Sequence, residues 1–585
     1  MEQQDEPRPE PRVPGENLLP LLGGFIGLVR RCDDLAARRR VGLTTLGLAG
    51  VIVANTLVQT RLNTWQGGFY DSIEGRDVAA FLHQIMVYVA IASTLLVLVV
   101  AQTWGVERLK IGIRRIVTHR LLDSWLVPKR TYLLAYAGEG GANPDQRIHD
   151  DTRRLAELSA DLGTSLFQSG LMLVTFVGVL WILSEQVGFP IGGRVVTIPG
   201  SMVWCAVAFA LAGSWLTWRF GQPLIGLNQR RYEREAEFRL GLVRVNEAAE
   251  GITLYGGEAD ERRAIDRQVD GLLDAMGLIA RQIARLTWVT SGYGWLALVV
   301  PLFAAAPGYF SGTLSLGGLM MVVNAFNQVQ SSLRWFVDNF QRIADWQAAL
   351  LRVEAIEDAL ESLAKTNGGN GHIVVEADSP TLEIQGLQVD ISGGPASLEE
   401  KDLSVRAGDR ILLVGDLRTG KSMVFLALAG LWTRGTGTIR MPPRDRVMFM
   451  PERPYLPPGT LRAALAYPQV PDRFPEHALR EVLAEAGIAH LGAALEREGR
   501  WDRNLSLDEQ QALAFARLML HRPDWVFLDD AASAFDTEEA RRMLAAVRRR
   551  LPDTAVIATS RNPDRLGFYD RTVLVSRVRS GTAAP

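Results

Sequence analysis

The sequence predicts a two-part chain, a six-span all-α membrane domain followed by an α/β domain built on a phosphate loop. Three observations carry that prediction. Apolar runs rich in Trp and Gly fill roughly the first 340 residues, whereas about the last 200 read as an ordinary water-soluble α/β sequence. Gly415-Asp416-Leu417-Arg418-Thr419-Gly420-Lys421-Ser422 follows the strand-like run Ile411–Val414 and precedes a helical pattern starting near Met423. Between the parts, Lys365–Gly371 is polar and Gly-rich, and Thr381–Val389 opens a new domain with a strand pattern. At 585 residues the chain exceeds one core, and a net charge of -2 gives no electrostatic reason to expect a nucleic-acid partner.

The N-terminal run Leu18–Val29 is apolar, but it is followed by Arg30, Arg31 and Arg38–Arg40 rather than by small residues suited to signal cleavage. An interfacial helix leading into the membrane fits it better. The two cysteines, Cys32 and Cys205, are far apart and suit packing rather than a disulfide framework.

Crossing a bilayer takes about 20 mostly apolar residues. Six stretches meet this: Val41–Val58, Ile85–Trp104, Leu162–Leu183, Met202–Phe220, Trp288–Phe303 and Leu314–Val337. The sixth carries Asn324, Asn327, Gln328, Gln330 and Arg334 at helical spacing, so it either lines a polar pathway or leaves the bilayer beyond Gln330. Arg and Lys crowd the N-terminus and the connection 106–160, while the loop Glu185–Pro199 has only Arg194. By the positive-inside rule the N-terminus and the long connections 106–160 and 221–287 are cytoplasmic. Glu235–Glu250 and Glu258–Met276 alternate charge with an apolar stripe, as helices projecting into water do.

In the soluble part, the loop Gly415–Ser422 offers backbone N–H groups to phosphates at a helix start, with Lys421 on the terminal phosphates and Ser422 on Mg²⁺. ATP and Mg²⁺ are therefore the expected cofactors.

Six spans fused to such a loop resemble an ABC half-transporter. Asn63–Asp71 with Arg76-Asp77, Asn143–Ile148, Ala306–Phe310 and Trp335–Asp338 narrow the resemblance to the SbmA/BacA-like bacterial family with a fused ATPase, related to peroxisomal fatty-acyl ABC half-transporters. The resemblance implies an exporter-type fold and a homodimer in the bacterial inner membrane, with the ATP-binding domain cytoplasmic. Its boundaries are a tail at 1–40, the membrane domain at 41–360, a linker at 361–380 and the nucleotide domain at 381–580. It further implies ATP bound between two copies, the phosphate loop of one facing the signature segment of the other. Leu505–Gln510 takes the signature place, with Ser506, Asp508 and Glu509 as its nucleotide-side residues. Asp529 resembles the Mg²⁺-side carboxylate and Ser533–Asp536 the segment after it.

Several positions depart from the family pattern. Asp530 stands for the catalytic Glu and is one methylene shorter; Glu452, also a metal-side candidate, stands for the γ-phosphate-sensing Gln; Ser560 stands for the switch His. Asp508 replaces a Gly whose backbone should approach the partner's phosphate. Leu417 and Arg418 replace small residues, and no aromatic lies between Ile373 and Gly415 to stack on adenine. Any one change reads as drift. Together they imply weakened ATP hydrolysis in what the resemblance implies is a transporter of a peptide, a cobalamin-like compound or another bulky polar solute. The alternatives are a proton-driven transporter, or a membrane scaffold, using the nucleotide domain only for dimerisation or regulation.

Overall fold

The computed structural model describes residues 18–30, 34–136, 141, 143–185, 187–191, 194–365, 373–376, 379–391, 394–416, 419–560 and 567–577. Cys32, Leu417, Arg418 and most of the Gly-rich linker lie outside them. The chain forms two compact units, Met1–Trp125 with Gly140–Asp358, and Leu126–Glu139 with Ala359–Pro585.

The first unit is helical. The interfacial segment forms α1 (Leu18–Arg30), and the Asp34 side chain caps α2 (Leu35–Glu74) by accepting from Ala37 N at 3.0 Å. Next come α3 (Val78–Trp125) and a short α4 (Arg130–Leu134), which belongs to the second unit. A turn at α5 (Pro144–Gln146) and a single π-turn lead into α6 (Thr152–Ser184). The hairpin of β1 (Gly188–Ile191) and β2 (Arg194–Thr197) follows. After it run α7 (Ser201–Gly221), α8 (Pro223–Glu247), α9 (Ala249–Tyr255), α10 (Glu258–Phe310), α11 (Leu316–Asp338) and α12 (Phe340–Lys365). At 1.5 Å per residue, helices of the length of α2, α3 and α10 outrun a hydrocarbon layer of about 30 Å, so their polar ends stand in water. Among the described residues, five helical stretches are long and apolar enough to cross a membrane: α2, α3, α5 through α6, α7 through α8, and α10. The sixth expected span is α11, whose polar residues keep it below that standard.

Those polar residues are largely spent on neighbouring helices. Asn324 Nδ2 donates to Asn63 Oδ1 at 2.7 Å, and Gln330 Nε2 donates to the Tyr293 hydroxyl at 3.0 Å, which in turn donates to Phe209 O. Arg334 lies over the Tyr293 ring and pairs with Asp338 at 3.2 Å. A second chain of amides joins α2, α3 and α6: Asn55 donates to Gln102 at 3.2 Å, and Gln102 to Gln168 at 2.8 Å. Amides inside a bilayer must find partners, and each such bond holds two helices together by about 0.6–2 kcal/mol.

The Asn63–Asp71 segment has a structural reason as well. At Gly317 a Cβ would overlap the carbonyl oxygen of Gly67 and lie 2.5 Å from Asp71 Oδ1, so only glycine lets α2 and α11 cross this closely. There the free N–H groups at the start of α11 are taken by α2: Gly317 N donates to Asp71 Oδ1 at 2.9 Å and Leu316 N to Glu74 Oε2 at 3.0 Å. Nearer the basic ends of the spans, α12 is tied to the π-turn by the bidentate Arg352–Asp151 pair and to α6 by Arg342–Asp161 at 2.8 Å and by Trp346 Nε1 to Ser159 Oγ at 2.8 Å.

The second unit is an α/β fold. Its strands are β3 (Val374–Glu376), β4 (Leu382–Val389), β5 (Ala396–Leu398), β6 (Asp402–Val405) and β7 (Arg410–Val414). After α13 (Lys421–Leu428) come β8 (Gly435–Arg440), β9 (Val447–Met450), β10 (Gly459–Thr460), α14 (Leu461–Ala466), α15 (Glu476–Glu485), β11 (Glu498–Gly499) and α16 (Trp501–Asn504). The C-terminal part holds α17 (Leu507–His521), β12 (Trp525–Asp529), α18 (Thr537–Arg550), β13 (Ala555–Thr559) and β14 (Arg571–Arg577). The main sheet runs β3-β8-β4-β5-β14-β7-β13-β12-β9, with β6 on β4. Strands β14, β7, β13, β12 and β9 are parallel, and β7, β12 and β13 are almost wholly apolar because both faces are covered. One core gathers Leu412, Phe515, Val526 and Leu528 beneath α15, α17 and α18; the other gathers Ile411, Leu413, Phe425 and Phe527.

Into this second unit the tip of the first long connection is built. The Tyr136 ring meets Trp432 edge-on at 6.2 Å between centroids, and Lys129 Nζ reaches the backbone at Gly430. Burial and the Arg444 guanidinium push the Lys129 ammonium below its ordinary pKa.

Candidate nucleotide site

In an open α/β sheet ligands bind beyond the carboxyl ends of the parallel strands. Those ends carry the expected residues: the phosphate loop follows β7, Glu452 follows β9, Asp529 closes β12 with Asp530 next, and Ser560 follows β13. Ser560 N donates to Leu413 O, and Asp530 N to Thr559 O at 3.1 Å, which lock these turns to the adjoining strands.

Gly420 sits at φ +95, a conformation that suits glycine, and it turns the chain into α13 with Lys421 first. Lys421 Nζ donates to the carbonyls of Gly415 and Asp416, and Thr419 Oγ1 donates to Asp416 O at 2.9 Å. Ser422 Oγ donates to Asp529 Oδ1 at 3.3 Å, and Thr559 Oγ1 donates to the same oxygen at 2.6 Å. A hydroxyl and a carboxylate converging from two elements are the hard oxygen donors that Mg²⁺ takes. Ser422 and Asp529 would hold it, and bound with ATP it would neutralise charge on the terminal phosphates. We expect Lys421→Ala to weaken binding of a non-hydrolysable ATP analogue about tenfold or more, since a charged hydrogen bond is lost; equal affinity in a titration of mutant and parent would refute the role.

Asp530 has φ +48. Asp and Asn enter that left-handed region several times more often than other non-glycine residues, so the backbone itself favours Asp over Glu here. Beside the loop, the Cδ1 of Ile391 comes close to Gly420, and an aromatic from later in the chain reaches the same stretch, the Trp432 indole donating to Asp390 O at 3.1 Å.

The signature residues stand apart from this group, at the start of α17. Ser506 and Glu509 form a capping box: Ser506 N and Oγ both donate to Glu509 Oε2 at 3.0 Å, and Glu509 Oε1 meets His490 at 3.1 Å. Asp508 is the second helical residue. The Ser506 hydroxyl and the backbone N–H groups of Asp508 and Glu509 hold its carboxyl below the usual range, so it is anionic at neutral pH. The donors and dipole that would greet a phosphate already serve carboxylates of the same chain.

The residue that ties the halves of the site together is Gln511, which the sequence reading passed over. It is 1% exposed; its Nε2 donates to Glu452 O at 2.9 Å and its Oε1 accepts from Ala534 N at 3.1 Å. The helix α17, the turn after β9 and the segment after β12 thus share one buried amide. The signal was present: Gln511 is an uncharged polar residue opening the buried stretch Gln511–Leu520. Arg517 on the same helix spans to Tyr455 O and Ala464 O at 3.1 and 2.6 Å, its pKa brought down to about 10 by burial.

Known proteins resemble this chain in both of its parts. Residues 38–310 match the family described as ABC transporter transmembrane region 2, and residues 398–533 match the ABC transporter family. A bacterial Atm1-family ABC exporter with ATP bound superimposes with a TM-score of 0.72 over 93% of this chain and 94% of that one, at 16% identity. The fold is therefore the exporter-type ABC fold. The inner membrane ABC transporter ATP-binding protein YddA of Escherichia coli is 28% identical over 92% of this chain and 96% of its own length. ABC transporter D family member 2, chloroplastic, of Arabidopsis thaliana is 26% identical over 83% and 76%, and mouse ATP-binding cassette sub-family D member 3 is 24% identical over 74% and 70%. The chain is an ABC half-transporter, a transmembrane region fused to an ABC nucleotide-binding domain, related to YddA and to the D sub-family.

Proposed function

We infer that two copies form an inner-membrane transporter of the SbmA/BacA-like group that moves a peptide, a cobalamin-like compound or another bulky polar solute, and that hydrolyses ATP slowly. The observation that carries the slow hydrolysis is the anionic Asp508 at the start of α17, backed by Glu452, Asp530 and Ser560 at the strand ends. Each composite site of a homodimer would inherit both faces, a short carboxylate on one side and a repelling one on the other. The remaining amides of α11, Asn327 and Gln328, are half-buried and supply polar groups for a solute without charge selection.

The six candidate spans contain no Asp, Glu or His. A proton relay through the bilayer needs such groups, which favours nucleotide-linked transport over the proton-driven alternative. In vesicles loaded with purified protein, uptake of a labelled peptide or of cobalamin should depend on ATP and survive a protonophore. Uptake abolished by the protonophore and indifferent to ATP would overturn this reading.

The orientation has its own test. Single cysteines at Arg38 and Arg115 should react with a membrane-impermeant thiol reagent only after the cytoplasmic face is exposed, whereas cysteines at Arg76 and Arg194 should react from outside. Reversed labelling at either pair would invert the topology.

A further inference from the structure

We propose that the membrane unit holds an anionic phospholipid in a lateral pocket, with an acyl tail between α1, α2, α3 and α6 and the phosphate on Arg30 and Arg38. The inference rests on α2, α3 and α6 crossing the bilayer, not on what is transported.

The pocket has a volume of about 850 Å³, within the size range of small-molecule sites. Phe25 of α1, Ala49 and Ile52 of α2, Ile113 of α3, and Gly163 and Phe167 of α6 line it. Its few polar side chains are engaged elsewhere: Thr45 donates to Val41 O at 2.9 Å, Thr164 to Ala160 O at 2.7 Å, and Ser159 accepts from the Trp346 indole at 2.8 Å. Away from Arg30 such a wall offers water few partners, and left empty it would forgo the dispersion contacts a hydrocarbon chain supplies. Along α2 the lining runs from Val41 to Ile52, ~16 Å at the helical rise, which is about half the hydrocarbon thickness. That is the reach of an acyl tail from one leaflet.

The charge lies at one end. Arg30 is itself part of the lining, at the end of α1. Arg38 precedes Gly42, Thr45, Ala49 and Ile52 at spacings of four, three, four and three residues, so it lies on the pocket face of α2 about one turn outside. Two guanidiniums over an apolar shaft complement a phosphate joined to a hydrocarbon chain, and a neutral apolar molecule would leave them unused.

The full-length protein in nanodiscs of equal parts phosphatidylglycerol and phosphatidylcholine, released and weighed by native mass spectrometry, tests this. Retained phosphatidylglycerol should exceed phosphatidylcholine by about fivefold or more. Arg30→Gln with Arg38→Gln should bring the two lipids to parity while a lipid is still held. At Gly163 a Cβ meets nothing within 4 Å, so Gly163→Phe can fill the pocket without a backbone clash and should abolish retention of either lipid. A parent that holds the two lipids equally, or holds none, would overturn the proposal, as would unchanged retention in Gly163→Phe. Should Gly163→Phe fail to fold, the arginine pair decides alone: a preference that survives their removal refutes the assignment.

Discussion

Restoring four residues at once, Asp508→Gly, Glu452→Gln, Asp530→Glu and Ser560→His, is expected to raise ATP turnover by about two orders of magnitude, whereas each single change should do little. In the proposed dimer these groups would face one γ-phosphate, and members of a catalytic unit are strongly non-additive, because the unrepaired ones remain limiting. Asp508→Gly should be the most useful second repair, since it frees the α17 donors from their own carboxylate. Asp530→Glu alone carries a cost of its own, because φ +48 is a conformation Glu adopts less readily than Asp. The readout is phosphate release by the purified protein, with Lys421→Ala as blank. A parent that already turns over as fast as the fourfold variant would show that the substitutions are silent.

The second large effect is expected at the α2–α11 crossing. In Gly317→Val the new side chain must enter the space of the Gly67 carbonyl, which is backbone, and of the Asp71 carboxylate, which Gly317 N holds in place at 2.9 Å. The helices must separate and the caps on Gly317 N and Leu316 N are lost with them, a combination of overpacking and unpaired donors that costs about 4 kcal/mol or more. Thermal denaturation in detergent should show a large drop in melting temperature and loss of transport. Gly178→Ala, where a Cβ meets nothing within 4 Å, serves as control and should melt like the parent. A Gly317→Val protein as stable as this control would mean that the crossing is looser than described.

What could be read from the sequence was local. The loop Gly415–Ser422, the strand before it and the carboxylate at the end of β12 each announce themselves within a dozen residues, because a phosphate-binding turn is made by contiguous backbone. The apolar spans declared themselves by length. What stayed hidden depends on residues far apart: the Gln511 amide joins three segments, and the Gly67–Gly317 contact joins helices whose glycines look unremarkable one at a time. The polar face of α11 was seen, yet its partition between interhelical bonds at Asn324 and Gln330 and groups left for a solute depends on which helix lies opposite. The left-handed Asp530 is invisible in sequence because Asp occurs in many conformations.

One consequence concerns the order in which this molecule is made. The tip that carries α4 and Tyr136 emerges from the ribosome about 300 residues before Trp432, the ring it meets, and at ~5–20 residues per second that interval lasts tens of seconds. For that time the spans preceding it can already be threaded into the bilayer while the tip has no surface to sit on. The nucleotide unit thus includes a piece synthesised before the rest of it, flanked by two membrane helices, which can dock only once Trp432 has been made. Nascent chains arrested before Trp432 should leave this tip open to protease, and those arrested after β14 should protect it.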